Sequence, residues 1–419
     1  MSSPAIPPDD SPQVENGWKR TYWVVWLANL VTAIGMMSFL VFFPAHLETM
    51  GLEGDEVALW SGLIFGGAPL VAALMTPIWS ALGDRYGRRL MTVRAMLAIT
   101  IFVGAMAWAT APWQLLVLRL CQGCFSGFVA PSITLVSVVA PVHRQGLVAG
   151  SLQTALALGA IIGPLIGGTV QPLYGLERVF IGVSAASLVS ALLVWFLAKE
   201  NASDRQTVER GISPTAILRA SVADLRDVWR NPRMRDALKL LFWMTLAVGA
   251  SSPLLELYVR EFGTSVERAP IVTGVLASCF AATNLVAMPL WGGAGDRGGH
   301  AATMRRCALF GVGALALNAA AGGLAMLFVA RILLAAAMAG SSPLPYGLAA
   351  AEIPVDRRGG AMGAVFSART LAIAFSAMIG GFLAQYVGVR GLFAIGAVVL
   401  LVVYLRTAPA PKAPVTEES

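Results

Sequence analysis

Residues 76–87 read TPIWSALGDRYG, and residues 288–299 read MPLWGGAGDRGG. The two stretches lie 212 positions apart and share a proline, a tryptophan, two glycines and an Asp-Arg pair. The same offset pairs further residues in each half of the chain: Arg94 with Arg306, Arg119 with Arg331, Pro131 with Pro343, Tyr174 with Tyr386, and Arg178 with Arg390. Repetition at one offset over such a length indicates that the chain is an internal duplication.

The composition places the duplicated chain in a membrane. Of its 419 residues, 57% are hydrophobic and only 13% are charged, whereas a soluble domain is about 25% charged. Apolar runs of about 20 residues, long enough to cross a bilayer, recur along the whole length. The sequence therefore predicts an all-α membrane protein with twelve transmembrane helices near residues 22–44, 58–80, 90–110, 113–138, 146–170, 177–198, 237–259, 271–294, 302–321, 323–346, 361–386 and 389–406.

These twelve spans fall into two pseudo-symmetric six-helix bundles, at residues 18–198 and 237–406. A basic linker over 199–236 separates the bundles, and the ends at 1–17 and 407–419 are expected to be disordered because they are polar and rich in proline. Most Lys and Arg residues fall in the linker and in loops on the same side of the membrane. By the positive-inside rule, this distribution predicts that both termini are cytoplasmic. It also explains the net charge of +7 without nucleic acid as a partner.

Two short patterns do not indicate a cofactor or metal. Cys121 and Cys124 form a C-x-x-C within a single apolar span, and no second pair accompanies them. Gly293, Gly295 and Gly298 match a dinucleotide fingerprint, but no β-strand precedes them. The sequence predicts neither a metal site nor a cofactor.

The loop after span 2 reads SALGDRYGRR (80–89) and resembles the signature G-x-L-x-D-R-x-G-R-R of the major facilitator superfamily, with Ser80 in place of the first glycine. Parallel six-span repeats with a long basic central loop also resemble this superfamily. The resemblance implies a conformational latch between the two halves. An ordinary topogenic charge cluster is the alternative. The latch would comprise Asp84, Arg85, Gly87, Arg88 and Arg89, and a weaker second copy would hold Asp296 and Arg297.

Span 4 carries Arg119, followed by Gln122 and Gly123, and this resembles the superfamily motif whose arginine is linked to proton transfer. A charge inside a span is costly unless it faces the bundle interior or water. The alternative is an arginine that extends to the membrane surface. Arg331 is the copy in the second half, without the glutamine.

Span 5 contains LGAIIGPLIGG (158–168), which matches in full the motif G-x-x-x-G-P-x-x-G-G of antiporters in the superfamily. Glycines four residues apart let two helices approach closely, and a proline kinks its helix. If this face slides against the opposite half, a larger residue at Gly163 should push the two halves apart. A purely packing role is the alternative. The motif comprises Gly159, Gly163, Pro164, Gly167 and Gly168.

Few carboxylates lie within the spans. Glu256 in span 7 is followed at i+4 by Arg260, a spacing that allows an ion pair. Alternatively, Glu256 takes up a proton when the site closes and loses water. Arg369 in span 11 could attract an anionic group or make a structural hydrogen bond. Weaker candidates for proton coupling are Glu48, His46 and Glu352.

Together the motifs resemble the twelve-span drug:proton antiporters, in particular the bacterial multidrug resistance exporters. The resemblance implies a monomeric exporter of small amphipathic molecules in the bacterial inner membrane, driven by the proton gradient. The alternative is a proton-coupled importer or facilitator of a small metabolite. No clustered nucleophile, metal set or acid-base pair suggests an enzyme.

Overall fold

The protein is described from a computed structural model over residues 12–141, 144–200, 226, 228–354 and 358–407. The first half consists of helices that we number as spans 1 to 6. They are Pro12–Phe39 with Phe43–Thr49 (span 1), Asp55–Tyr86 (span 2), Arg88–Met106 (span 3), Pro112–Phe125 with Val129–Val139 (span 4), and Gln145–Leu197 (spans 5 and 6).

The second half repeats this order of elements. Its helices are Pro232–Gly249 with Leu255–Arg260 (span 7), Ala269–Gly298 (span 8), His300–Ala319 (span 9), Leu324–Met338 with Pro343–Glu352 (span 10), and Arg358–Arg406 (spans 11 and 12). Spans 1 and 7 are each interrupted by one 3₁₀ turn, Leu40–Phe42 and Ser252–Leu254 respectively. The two turns are 212 residues apart, which is the offset of the sequence repeat.

Two glycines divide the long helices into separate spans. Gly175 has φ 78° within Gln145–Leu197, and Gly388 has φ 66° within Arg358–Arg406. Residues with a side chain rarely adopt such angles, so glycine permits the reversal at these two points. Among the described residues, eight helices are long and apolar enough to cross a membrane, and two of these are the double helices. With span 4 and span 9, the described residues contain twelve helical segments in the predicted order, which agrees with the all-α fold.

The boundaries differ from the prediction at the ends of the bundles. The helix of span 1 starts at Pro12, before the predicted start near residue 22. Span 7 begins at Pro232 rather than at residue 237. Asn231 explains the second start, because its side chain accepts hydrogen bonds from the first amides of the helix. Most of the predicted linker and the greater part of both predicted tails lie outside the described residues.

The structure also corrects the alignment of the repeats. Turn glycines Gly87 and Gly299 are 212 residues apart, but Gly175 and Gly388 are 213 apart. The second half therefore has one additional residue before the end of span 11. The predicted pairs in this region, Tyr174 with Tyr386 and Arg178 with Arg390, are wrong by one position.

Each half has its own buried apolar interior, and the two halves approach each other most closely at one end. Span 2 crosses span 11 there, span 5 crosses span 8, and the 3₁₀ turns of spans 1 and 7 meet. We call the end that holds residues 40–66 and 252–278 the closed end. Because lipid provides little hydrophobic drive for helix association, close backbone packing at small residues must contribute much of the stability here.

Candidate functional site

The glycines of the span 5 motif face two different neighbours. Gly159, Gly163 and Gly167 lie against span 1 of the same half. A Cβ atom at Gly163 would be 2.6 Å from the carbonyl oxygen of Ile34 and 2.6 Å from the Cβ of Met37. The prediction that a larger residue at Gly163 would separate the two halves is therefore wrong, because this glycine packs within one half.

Gly168 is the motif glycine that meets the opposite half. A Cβ atom there would be 2.6 Å from the carbonyl oxygen of Pro270 and 3.4 Å from the Cα of Gly274. From the other side, a Cβ at Gly274 would overlap the carbonyl oxygen of Pro164. The Ser278 hydroxyl donates a 2.6 Å hydrogen bond to the Ile161 carbonyl nearby. Pro164 thus lies at the crossing of spans 5 and 8.

Spans 2 and 11 cross in the same way, although no sequence motif predicted this crossing. A Cβ at Gly381 would be 2.5 Å from the carbonyl oxygen of Ala58 and 2.9 Å from the Cα of Gly62. A Cβ at Gly66 would be 2.5 Å from the carbonyl oxygen of Ala374. The sequence signal was the glycine pair at i and i+4 in span 2 and the repeat offset that relates Gly62 to Gly274.

Arg119 is buried between spans 1, 2 and 4. Its Nε donates to the carbonyl of Ile64 at 3.1 Å, and its Nη1 donates to Oε1 of Gln122 at 2.5 Å. Gln122 in turn donates to the Met36 sulfur at 3.2 Å. Because only 2% of Arg119 is exposed, it does not extend to the membrane surface, and that alternative is wrong. The arginine and glutamine instead link three spans of the first half.

Arg331 is the equivalent of Arg119 but has a different environment. Its guanidinium lies 4.9 Å from the ring centroid of Phe280, and 4% of the residue is exposed. Among the described residues, its Nε and Nη1 have no hydrogen-bond acceptor. Leu334 occupies the position equivalent to Gln122, which explains the missing acceptor. Arg369 donates to the Ser342 hydroxyl at 2.7 Å and so connects spans 11 and 10.

Glu256 belongs to a three-residue ion cluster. Its Oε1 lies 2.6 Å from Nη2 of Arg260, and Nη1 of the same arginine lies 2.6 Å from Oε2 of Glu48. Glu256 is fully buried, and its Oε2 has no hydrogen-bond partner in the described part of the chain. The predicted i,i+4 ion pair is present, and it continues to Glu48 in the first half. The cluster therefore joins the two halves at the closed end.

The other two weak candidates make contacts within one half. Nδ1 of His46 lies 3.5 Å from Oε1 of Glu177 at the end of span 1. Glu352 accepts from Arg233 at 2.6 Å and from Asn231 at 3.1 Å, which ties the end of span 10 to the start of span 7.

The predicted latch is described only in part, because the side chains of Asp84 and Arg85 lie outside the described residues. Gly87 has φ 103° and forms the turn between spans 2 and 3. The amides of Arg88 and Arg89 donate to the Glu200 carboxylate at 2.8 and 3.0 Å. A carboxylate at this helix N-terminus is favoured by the free amides and the helix dipole. No sequence motif pointed to Glu200, which follows span 6.

In the second copy of this loop, Gly299 has φ 83° and forms the equivalent turn. Oδ1 of Asp296 lies 3.2 Å from Nε2 of His300, and Arg297 donates to the Gly293 carbonyl at 3.0 Å. Both contacts are local. Within the described residues, no group of three or more His, Cys, Asp or Glu side chains could hold a metal ion.

The family model of the Major Facilitator Superfamily matches residues 25–275 and 240–419, which together cover most of the chain. The chain belongs to the major facilitator superfamily.

Curated relatives support a closer likeness within the superfamily. The chain is 31% identical over 287 residues to the multidrug resistance protein MdtG of Proteus mirabilis (strain HI4320), covering 67% of this chain and 68% of that protein. It is 32% identical over 292 residues to MdtG of Yersinia enterocolitica, covering 68% and 67%. The resemblance to bacterial multidrug resistance exporters is therefore confirmed.

Solved structures of other superfamily transporters share the fold. A bacterial homologue of the human lysosomal transporter Spinster, solved in an inward-facing and unoccupied conformation, gives a TM-score of 0.75 at 16% identity and covers 93% of this chain and 96% of its own. A D-xylose-proton symporter gives 0.71 at 14% identity and covers 94% and 98%. The superfamily fold indicates a secondary transporter rather than an enzyme, but it is shared by proteins that move substrates in either direction.

Proposed function

We propose that this superfamily member exports small amphipathic molecules or drugs in exchange for protons, by alternating access between its two halves. The observation that carries the proposal is the crossing of spans 5 and 8, where Pro164 and Gly168 of the antiporter motif meet the backbone of the opposite half at Gly274 and Pro270. The likeness to curated multidrug resistance proteins supports the same substrate class.

The closed end is the outer end in this proposal. The basic loops lie at the other end, which the positive-inside rule assigns to the cytoplasm. The conformation is then inward-facing. The protein would be a multi-pass protein of the bacterial inner membrane with both termini cytoplasmic.

Export would require the two crossings to separate at the outer end while the halves approach at the inner end. Small residues at both crossings keep the backbones close in the present state. The latch residues Asp84 and Arg85 would then stabilise the alternative state. Pro164 would set the shape of span 5 at the point where it leaves the opposite half.

Proton coupling would involve two groups of buried charges. Glu256 is a buried carboxylate with one oxygen that has no partner among the described residues, and its partner Arg260 also contacts Glu48 of the first half. Arg119 and Gln122 form the second group and would respond to the position of spans 1 and 2. Arg331 and Arg369 would place positive charge in the second half. No cofactor takes part, because the proton gradient supplies the free energy.

The test begins with a growth-inhibition screen in an efflux-deficient bacterial host, which identifies an exported compound. The purified protein is then placed in liposomes of known orientation, and uptake of that compound is measured under imposed pH gradients. Export by exchange predicts uptake into inside-out vesicles with an acidic lumen. Uptake driven by an acidic bath would indicate a symporter, and uptake that ignores the pH gradient would indicate a facilitator. Either result would replace the antiport proposal with the importer alternative.

A further inference from the structure

The ion pair between Glu48 and Arg260 connects the two halves at the closed end. The Nη1–Oε2 distance is 2.6 Å, and both side chains are partly shielded, with 35% of the glutamate and 16% of the arginine side chain exposed. Both residues lie in the short helices that follow the 3₁₀ turns of spans 1 and 7.

The partners of this ion pair occupy equivalent positions in the two repeats, because they are 212 residues apart. The local structure supports the equivalence. The two 3₁₀ turns lie at the same offset, and so do Gly51 with φ 88° and Gly263 with φ 77°. Two equivalent residues in contact must lie on either side of the pseudo-two-fold axis. The Glu48–Arg260 pair therefore lies at that axis.

In parallel-repeat transporters the axis runs along the membrane normal, and substrate binds between the repeats. A group on the axis at the closed end thus lies across the exit from the space between the halves. We propose that Glu48 and Arg260 form the outer gate of the transport path, and that Glu256 retains Arg260 when the gate opens. This inference rests on the proposed alternating access.

Glu256 lowers the cost of opening the gate. Separating a shielded ion pair is costly when one charge is left without a partner. When Glu48 moves away with the first half, Arg260 keeps its 2.6 Å contact with Glu256, which lies one helical turn away on its own span. Glu48 meets water because it is already partly exposed. The gate therefore opens without leaving an isolated guanidinium.

The experiment measures how often the gate opens, using a cysteine placed just beneath it. Leu257 is suitable because it packs against the buried apolar cluster of the first half. The four native cysteines, Cys121, Cys124, Cys279 and Cys307, are first replaced by alanine. Leu257→Cys is then made in this cysteine-free protein. A membrane-impermeant maleimide is added to de-energised spheroplasts, where it reaches only the outer face, and the alkylation rate is recorded without substrate.

Glu48→Ala should raise the alkylation rate about ten-fold, because it removes the bond that joins the halves. Glu261→Ala is the matched control, since Glu261 pairs at 3.4 Å with Arg390 of its own half at the same end. Glu256→Gln should instead lower the rate, because opening would then leave Arg260 without a charged partner. The rate of Glu261→Ala should remain within about two-fold of the parent protein. An unchanged rate in Glu48→Ala, or an equal increase in Glu261→Ala, would overturn the gate.

A charge exchange separates gating from misfolding. In the Glu256→Gln background, Glu48→Arg alone should raise the rate by like-charge repulsion, and adding Arg260→Glu should return it close to the rate of Glu256→Gln alone. A double variant as fast as the single variant would refute the pairing. Because alkylation needs no substrate, a gate that responds in a protein without proton exchange would disprove the antiport proposal alone. Normal exchange with no gate response would disprove the gate alone.

Discussion

Gly168 and Gly163 offer a matched pair of substitutions that distinguishes a contact between halves from packing within one half. Both glycines belong to the same motif on the same helix, and a Cβ at either would lie 2.6 Å from a backbone carbonyl oxygen. Ordinary contacts of a Cβ lie at 3.4–4 Å, so alanine overlaps a carbonyl oxygen at both positions, and at Gly163 it also overlaps the Cβ of Met37. The overlap at Gly168 involves Pro270 of the opposite half, whereas the overlap at Gly163 involves Ile34 of the same half.

The size of the effect follows from the cost of overpacking, about 1–3 kcal/mol. At Gly163 this cost is present in every state, so it lowers the free energy of unfolding. At Gly168 it is present only while the outer end is closed, so it shifts the equilibrium toward the outward-open state by about 5- to 150-fold. The gain in helix propensity from glycine to alanine, about 1 kcal/mol, is common to both variants and cancels in the comparison.

The assay combines maleimide alkylation of Leu257→Cys in spheroplasts with thermal unfolding in detergent. Gly168→Ala should be alkylated at least about 5-fold faster than the parent and should unfold at a similar or higher temperature. Gly163→Ala should be alkylated at the parental rate and unfold at a lower temperature than Gly168→Ala. If Gly168→Ala is alkylated at the parental rate and loses as much thermal stability as Gly163→Ala, the motif acts only in packing.

Further substitutions test the remaining sites. Pro164→Ala restores one helical hydrogen bond, so the variant should be at least as thermostable as the parent yet export poorly or leak protons in liposomes. Asp84→Asn should reduce export strongly at near-normal expression, which a transport assay normalised to membrane protein will show. Arg119→Lys should abolish proton-driven uptake in inverted vesicles, because an ammonium group cannot replace the planar, multi-donor guanidinium that bonds to two spans. Single cysteines at Arg226 and Ser265 should be labelled from opposite sides of the membrane, and labelling from one side would refute the predicted topology.

Much of the fold could be predicted because lipid restricts the backbone to a few solutions. Every peptide group in a membrane must be hydrogen-bonded internally, so apolar runs of sufficient length become helices. The duplication then fixed the order of the elements in the second half. The sequence predicted a tight turn at Gly87. The turn is present, and its φ of 103° is an angle that glycine adopts readily.

The functional contacts depended on tertiary structure. A helix turns by about 100° per residue, and a span that is apolar all round has no polar face to show which way it points. For this reason the sequence could not tell that Gly163 faces span 1 while Gly168, five residues later, faces span 8. It also could not show that Glu48 reaches Arg260, because an ion pair between two repeats depends on how the repeats pack. The sequence by itself determined two copies of a six-helix repeat, since the number and order of apolar helices follow from local composition and the membrane. Only the packing of the two halves decided which glycines cross and which charges meet at the axis.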